Sequence, residues 1–330
     1  MQKLPPSTRL DDVLLPTRPI TTRTSEASAT AGHRRPCYLS NVNAPPDNAP
    51  SGIALLAIDV DGTLVTEANE VRPDTREAVC RAQAGGLEVV LATGRRYRTT
   101  QGVMEQLGLP LPAVCLGGAL TKSAAGETLH SEPFAAKQVD ALLRHARRRG
   151  LPLILQRDSD GRGGPDFVVD AGVPWNEETE YYVCVGGESG STDRAPERTG
   201  YDDILVVGAF GSQEELAGLE RDFVGDGAFA TVLVPSKRTP GWYLETILGH
   251  VSKWTGLQRL AAHLGVSESA VCAVGDAAND LPMIRGAGFG VAMGNASPEV
   301  KEAADWVTGS NDEGGLVPLI ELLVNAASSR

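Results

Sequence analysis

A chain of 330 residues, 42% hydrophobic and 22% charged, has the composition of a globular protein and is long enough for two domains. Its formal net charge of −12, from 42 acidic against 30 basic side chains, argues against non-specific nucleic-acid binding, which requires a basic surface. A phosphorylated ligand is compatible with that balance, because a few local cations, helix N-termini or a bound metal outweigh the global field.

The five cysteines, Cys37, Cys80, Cys115, Cys184 and Cys272, form no Cys-x-x-Cys pair and are odd in number. That argues against a zinc cage or a closed disulfide framework and fits a reducing cytoplasm. Cys115 and Cys272 lie in apolar runs, as small buried hydrophobes do. No stretch approaches the roughly 18 apolar residues of a membrane span, and nothing in residues 1–50 resembles a secretory signal. Those residues are rich in Pro, Thr, Ser, Ala and Arg, with six basic against four acidic side chains and no periodicity. A disordered extension is expected there. An early start codon or a transit peptide are the other readings, and Asp11 and Asp12 weaken the last.

From residue 53 the pattern becomes strand, helix, strand. Residues 53–58 form an apolar run ending at Asp59, residues 73–84 read as a helix stopped by Gly85-Gly86, and residues 87–92 and 113–116 read as buried strands. Alternation resumes with a helix at 253–264, a strand at 270–274, a helix at 281–285 and a strand at 290–293. Such βα units imply a Rossmann-like, mostly parallel α/β core, assigned to residues 51–133 and 240–330. Between its halves, residues 134–239 read as an inserted α+β cap: helices at 135–149 and 213–223, and strands at 151–156, 167–170, 204–208 and 229–234.

Chemistry concentrates at strand ends. Asp59-Val60-Asp61-Gly62-Thr63 sets two carboxylates two residues apart where a chain leaves its strand, able to share a cation while one acts as nucleophile and the other moves a proton. The pentapeptide also reads as a turn closed by Asp side chains. Thr93-Gly94-Arg95 offers a hydroxyl and bare amides to phosphate oxygens, or a helix cap. Lys253 falls in the first turn of a helix capped by Ser252, where the dipole opposes a cation unless an anion shares the spot. Gly275-Asp276-Ala277-Ala278-Asn279-Asp280 places Asp276 on the same sheet edge as Asp59, with Asn279 and Asp280 one turn on. It also reads as a capped βα loop.

Taken together and in this order, the four segments resemble the haloacid dehalogenase superfamily, specifically its Cof-type phosphatases with a large C2-type cap, over residues 53–330. The stretches Gly288 to Ala296, Ala303 to Thr308 and Asn311 to Gly315 are similar to that subfamily's ending. The resemblance implies Asp59 as nucleophile and Asp61 as general acid/base. It implies phosphate contacts from Thr93, Gly94, Lys253 and Asn279, Mg2+ held by Asp59, Asp61 (through its carbonyl) and Asp276, and Asp280 behind them. A small phosphorylated metabolite is the expected substrate, with no nucleic-acid or membrane partner. A phosphotransferase or mutase, or a catalytically silent phosphate-binding regulatory module, is the alternative. Relatives usually carry Asn-Gly-Ala after the third strand, where this chain has Gly117-Gly118-Ala119. Arg157, Arg162, Glu177, Glu178 and Glu180 are candidate substrate readers in the cap.

Overall fold

Every residue of β1 (Leu55–Ile58) is buried, as an apolar strand covered on both faces must be. The chain continues through α1 (Pro73–Ala84), β2 (Glu88–Ala92), α2 (Tyr97–Leu107), β3 (Ala113–Cys115), β4 (Leu120–Lys122) and β5 (Thr128–Ser131). Next come α3 (Ala136–Arg148), β6 (Ile154–Arg157), β7 (Phe167–Asp170), α4 (Glu177–Gly186), β8 (Gly190–Asp193), β9 (Ile204–Gly211), α5 (Gln213–Phe223), β10 (Phe229–Pro235) and β11 (Trp242–Leu248). The last part holds α6 (Lys253–Leu264), β12 (Val271–Gly275), α7 (Leu281–Gly286), β13 (Phe289–Ala292), α8 (Pro298–Ala303), β14 (Trp306–Val307) and α9 (Leu316–Ser328). This computed structural model describes residues 46, 51–158, 165–186, 190–193, 203–224, 228–236 and 241–328. The expected extension over residues 1–50 (Pro46 apart) and Arg162 lie outside the described residues.

The first sheet has the order β14-β13-β12-β1-β2-β3-β4-β5, parallel from β14 to β3 and antiparallel beyond. Strand alternation sorts its two faces. Leu55, Ala57 and Val90 pack with Leu257, Leu260 and Met283 from α6 and α7. Leu56, Ile58 and Leu91 pack with Val79, Leu107 and Leu319 from α1, α2 and α9. Chain order reverses at β1, which pairs with β2 on one side and β12 on the other. Ligands of open α/β sheets bind outside the carboxyl ends at such a switch point.

The second sheet, ordered β10-β11-β9-β6-β7-β8, is antiparallel apart from β7–β8. One face carries Leu155, Val207 and Leu244 against Leu142 and Leu219 of α3 and α5. The other carries Ile154, Phe167 and Phe210 against Tyr182 of α4 and Tyr243. The expected return to the core at residue 240 is corrected here: Trp242–Leu248 is a strand of this second sheet, hydrogen-bonded between β9 and β10. Its backbone is satisfied by those neighbours, so the chain rejoins the first sheet's layer only at α6. Among the described residues no helix is long and apolar enough to cross a membrane, and Cys80, Cys115, Cys184 and Cys272 are free thiols.

Candidate active site

Three strand ends deliver the site. The Asp59 amide donates to Val274 O at 3.0 Å and the Thr93 amide to Val114 O at 2.8 Å, so the residues leaving β1 and β2 are still anchored to the sheet. Beyond β12, Asp276 comes so close to Gly62 that a Cβ there would stand 2.4 Å from Asp276 Oδ2; Gly62 also has φ +87°. Both facts require glycine. Thr63 Oγ1 donates to Asp276 Oδ1 at 3.2 Å.

Lys253 begins α6, where Ser252 and Thr255 form a reciprocal cap: Ser252 Oγ accepts from the Thr255 amide at 3.2 Å and Thr255 Oγ1 from the Ser252 amide at 3.0 Å. The buried ammonium donates to Asp59 Oδ1 and to Asp280 Oδ1, each at 2.6 Å. Asp280 uses its other oxygen to accept from the Asp276 and Ala277 amides, both at 3.0 Å. It braces the loop and the lysine together. It does not cap α7 with its side chain.

Carboxylate oxygens of Asp59, Asp276 and Asp280 lie within 4.8 Å of one another, a cluster able to hold a metal ion. Burial, then Asp280, pushes the Asp59 carboxyl well above its usual range, with Asp276 adding to the rise and Lys253 opposing it. Burial and Asp280 likewise raise Asp276. For Lys253, burial opposes the charge, but Asp280 and Asp59 override it and hold the ammonium more firmly than an ordinary lysine. Crowded, buried carboxylates with raised pKa are the electrostatic setting that a cation relieves.

The Asp61 carboxylate stands apart from that cluster. Arg95 grips it with both arms of the guanidinium, Nε to Oδ2 at 2.8 Å and Nη2 to Oδ1 at 2.6 Å. Thr93 Oγ1 accepts from the Arg95 amide at 3.1 Å, which shapes the turn carrying that arginine. Gly94 and the exposed Asn279 line the same cavity as Asp59, Asp61 and Lys253. Asp59, Asp61, Thr93, Gly94, Lys253, Asp276, Asn279 and Asp280 are thus gathered at one edge of the first sheet.

Other lining residues had not been singled out. Arg95 stands in the Thr93-Gly94-Arg95 motif, and its fork on Asp61 arises only through the fold. Phe210, Tyr243 and Glu245 reach the cavity from β9 and β11, and Tyr182 from α4. The one legible signal was the alternation of Trp242 to Leu248. Of the candidate readers, Glu178 lines the cavity, whereas Arg157 pairs with Asp203 at 3.3 Å and donates to Pro165 O. Burial raises the Glu245 carboxyl to about 7, and Lys253 partly offsets the rise.

Comparison with known proteins shows the family. The model of the haloacid dehalogenase-like hydrolases matches residues 56–320. Phosphatase YwpJ of Bacillus subtilis is 29% identical over 290 residues, covering 82% of this chain and 99% of its own. The 5-amino-6-(5-phospho-D-ribitylamino)uracil phosphatase YitU of the same organism is 27% identical over 273 residues, covering 81% and 96%. The solved structure of a haloacid dehalogenase-like hydrolase from B. subtilis superimposes with a TM-score of 0.68 at 27% identity, over 82% of this chain and 99% of that one. With its mainly parallel sheet, its separate, mainly antiparallel sheet and a family match spanning both, this chain belongs to the haloacid dehalogenase-like hydrolases.

Proposed function

We propose that the protein is a magnesium-dependent phosphatase that hydrolyses a small phosphate monoester through an aspartyl-phosphate on Asp59. The observation that carries this reading is the Asp59–Lys253–Asp280 chain, in which a buried carboxylate is held by a buried ammonium at 2.6 Å and braced from behind. That arrangement aims a fixed nucleophile and a fixed cation at one point, and positioning with electrostatics supplies most of the catalysis in phosphoryl transfer. The family and its phosphatase-named relatives support it.

Magnesium suits the site, since its donors are hard carboxylate oxygens and the Cβ-free Gly62 gives Asp276 its place. Asp59, Asp276 and the Asp61 carbonyl would hold it, and when bound it would draw charge from the phosphoryl oxygens. Lys253, Thr93 and Asn279 bind the remaining oxygens, with the Gly94 backbone alongside. An Asp59 oxygen attacks phosphorus, the ester P–O bond breaks, and Asp61, released from Arg95 and protonated from solvent, gives that proton to the departing alkoxide. Asp61 then takes a proton from the water that attacks the aspartyl-phosphate, releasing inorganic phosphate and restoring Asp59. Positioned acid–base help of this kind is worth about 10²–10⁴-fold. Phosphate release measured with magnesium and with chelator, for wild type and Asp59→Asn, tests the reading. Loss of release in both controls is expected, and turnover retained by a folded Asp59→Asn protein would overturn it.

A further inference from the structure

The cavity above Asp59 and Lys253 measures about 1020 Å³, at the upper end of small-molecule sites, which span roughly 300–1,000 Å³. A phosphoryl group fills a small part of it. Its far wall is built from Tyr181 and Val185 of α4, Val234 of β10, and Phe210 and Tyr243, which are paired across β9 and β11. Tyr181, Val185 and Val234 are 46%, 52% and 41% exposed, and they are three of the six large apolar side chains exposed among the described residues. Single exposed apolar side chains are ordinary, whereas a gathered set marks a surface that binds something.

This wall is ringed with aromatics. Tyr182 and Phe210 lie 5.6 Å apart between ring centres, and Phe210 and Tyr243 lie 4.8 Å apart. Tyr243 has room only because β9 carries Gly208, where a Cβ would stand 2.1 Å from the Tyr243 hydroxyl oxygen. Gln156 Nε2 then donates to that hydroxyl at 2.9 Å and fixes the ring. Two residues further along the same face of β11, Glu245 lines the cavity, and its carboxylate makes no hydrogen bond or ion pair among the described residues. Its Oε1 would lie 3.7 Å from a Cβ at Gly117, so that glycine sets no side chain against it. An acceptor left unpaired beside an apolar wall favours a ligand that brings its own donor and discriminates against one that lacks it.

We propose that the substrate is a phosphate monoester whose organic half is a flat ring bearing hydroxyl or amine donors. The ring seats on the Tyr182–Phe210–Tyr243 wall, and Glu245 accepts one of its donors. The inference rests on the phosphatase reading for the position of the phosphate. A flat ring covers an aromatic wall and gains stacking, whereas a sugar presents hydroxyls on both faces and strips water from them without return.

Three esters of primary alcohols separate the contributions: glucose 6-phosphate has no flat ring, benzyl phosphate has a ring without donors, and pyridoxine 5′-phosphate has a ring with hydroxyl donors. The expected kcat/KM rises in that order, by roughly 10-fold or more from first to last, given the stacking and charge-assisted bonding involved. Tyr181→Ala, at an exposed position, and Tyr182→Leu bring both ring esters down towards glucose 6-phosphate, mainly through KM. Glu245→Gln lowers pyridoxine 5′-phosphate several-fold more than benzyl phosphate. Calorimetric binding of the same esters to Asp59→Asn, expected in the same order, reads the cavity independently of turnover. If wild type turns over none of the three while Asp59→Asn binds them in that order, the phosphatase reading fails and this inference stands. Turnover or binding in which glucose 6-phosphate equals or exceeds the ring esters overturns it, as does a Glu245→Gln loss equal for all three.

Discussion

At Gly62 the backbone conformation and the Asp276 carboxylate make the same demand, which makes this position a sharp probe of the site. A Cβ would sit 2.4 Å from Asp276 Oδ2 on a residue with φ +87°. Gly62→Ala is expected to fold with a slightly lower melting temperature and to lose about 10²-fold in kcat, the usual consequence of misplacing a catalytic group by about 1 Å. Unchanged kcat would show that Asp276 has slack. Glu245 gives a second residue-scale test through pH. Its folded carboxyl titrates at about 7, above the ordinary 4.5. Between those values the unfolded chain releases the proton that the folded protein keeps, so wild-type stability falls as pH rises through that window and levels off above it. In metal-free buffer, the stability advantage of Glu245→Gln over wild type should grow from pH 4.5 to 7 and then hold, at about 3 kcal/mol. A pH-independent difference would contradict this.

Among elements, α6 carries the most function, because its first residue is the cation of the site. The Ser252–Thr255 cap satisfies the helix N-terminus and sets where Lys253 starts. Ser252→Ala is expected to lower stability by about 1 kcal/mol in thermal melts, with a fall in kcat as Lys253 loosens; unaltered melting would show the cap to be idle. This helix was legible in the sequence to the residue, because Ser252 and the αL Gly265 mark its ends and an apolar face runs between them. So was α1, with Pro73 at its first position and glycines after Ala84. By contrast α2, which buries Thr100, Val103, Met104 and Leu107 at helical spacing, carries no capping signal at its start, because its N-cap Arg96 makes no side-chain cap bond. The strand ends bearing Asp59, Thr93 and Asp276 were readable because chain order alone puts them on one sheet edge. Tyr243 and Glu245 were not. They face the site only through the register of β11 with β9, in which Tyr243 opposes Phe210 and Glu245 opposes Gly208, and no local pattern announces that register.

Across the whole molecule, the two sheets are joined by ion pairs as well as by chain crossings. Arg96, at the start of α2, bonds Asp166 beside β7 and lies over the Phe167 ring at 4.7 Å. Lys122, buried in β4, donates to Thr128 Oγ1 at 2.7 Å and pairs with Asp158 beyond β6. Removing one partner of a buried pair strands the other charge, which costs about 3–5 kcal/mol. Asp158→Ala should therefore lower the melting temperature markedly, and Lys122→Met in the same protein should restore much of it. Equal melting of wild type and Asp158→Ala would show that this tie contributes nothing. Both sheets close on one cavity, with the first supplying Asp59 and Lys253 and the second supplying Tyr243 and Glu245.

The central claim is that Asp59 becomes covalently phosphorylated, and trapping that species tests it most directly. The protein is mixed with magnesium and a phosphate monoester, quenched in acid within milliseconds, and its intact mass is read. The account expects a fraction of wild type heavier by one phosphoryl group, with the label on the peptide containing Asp59 and none in Asp59→Asn. Turnover without that species, or a label that persists in Asp59→Asn, would contradict it.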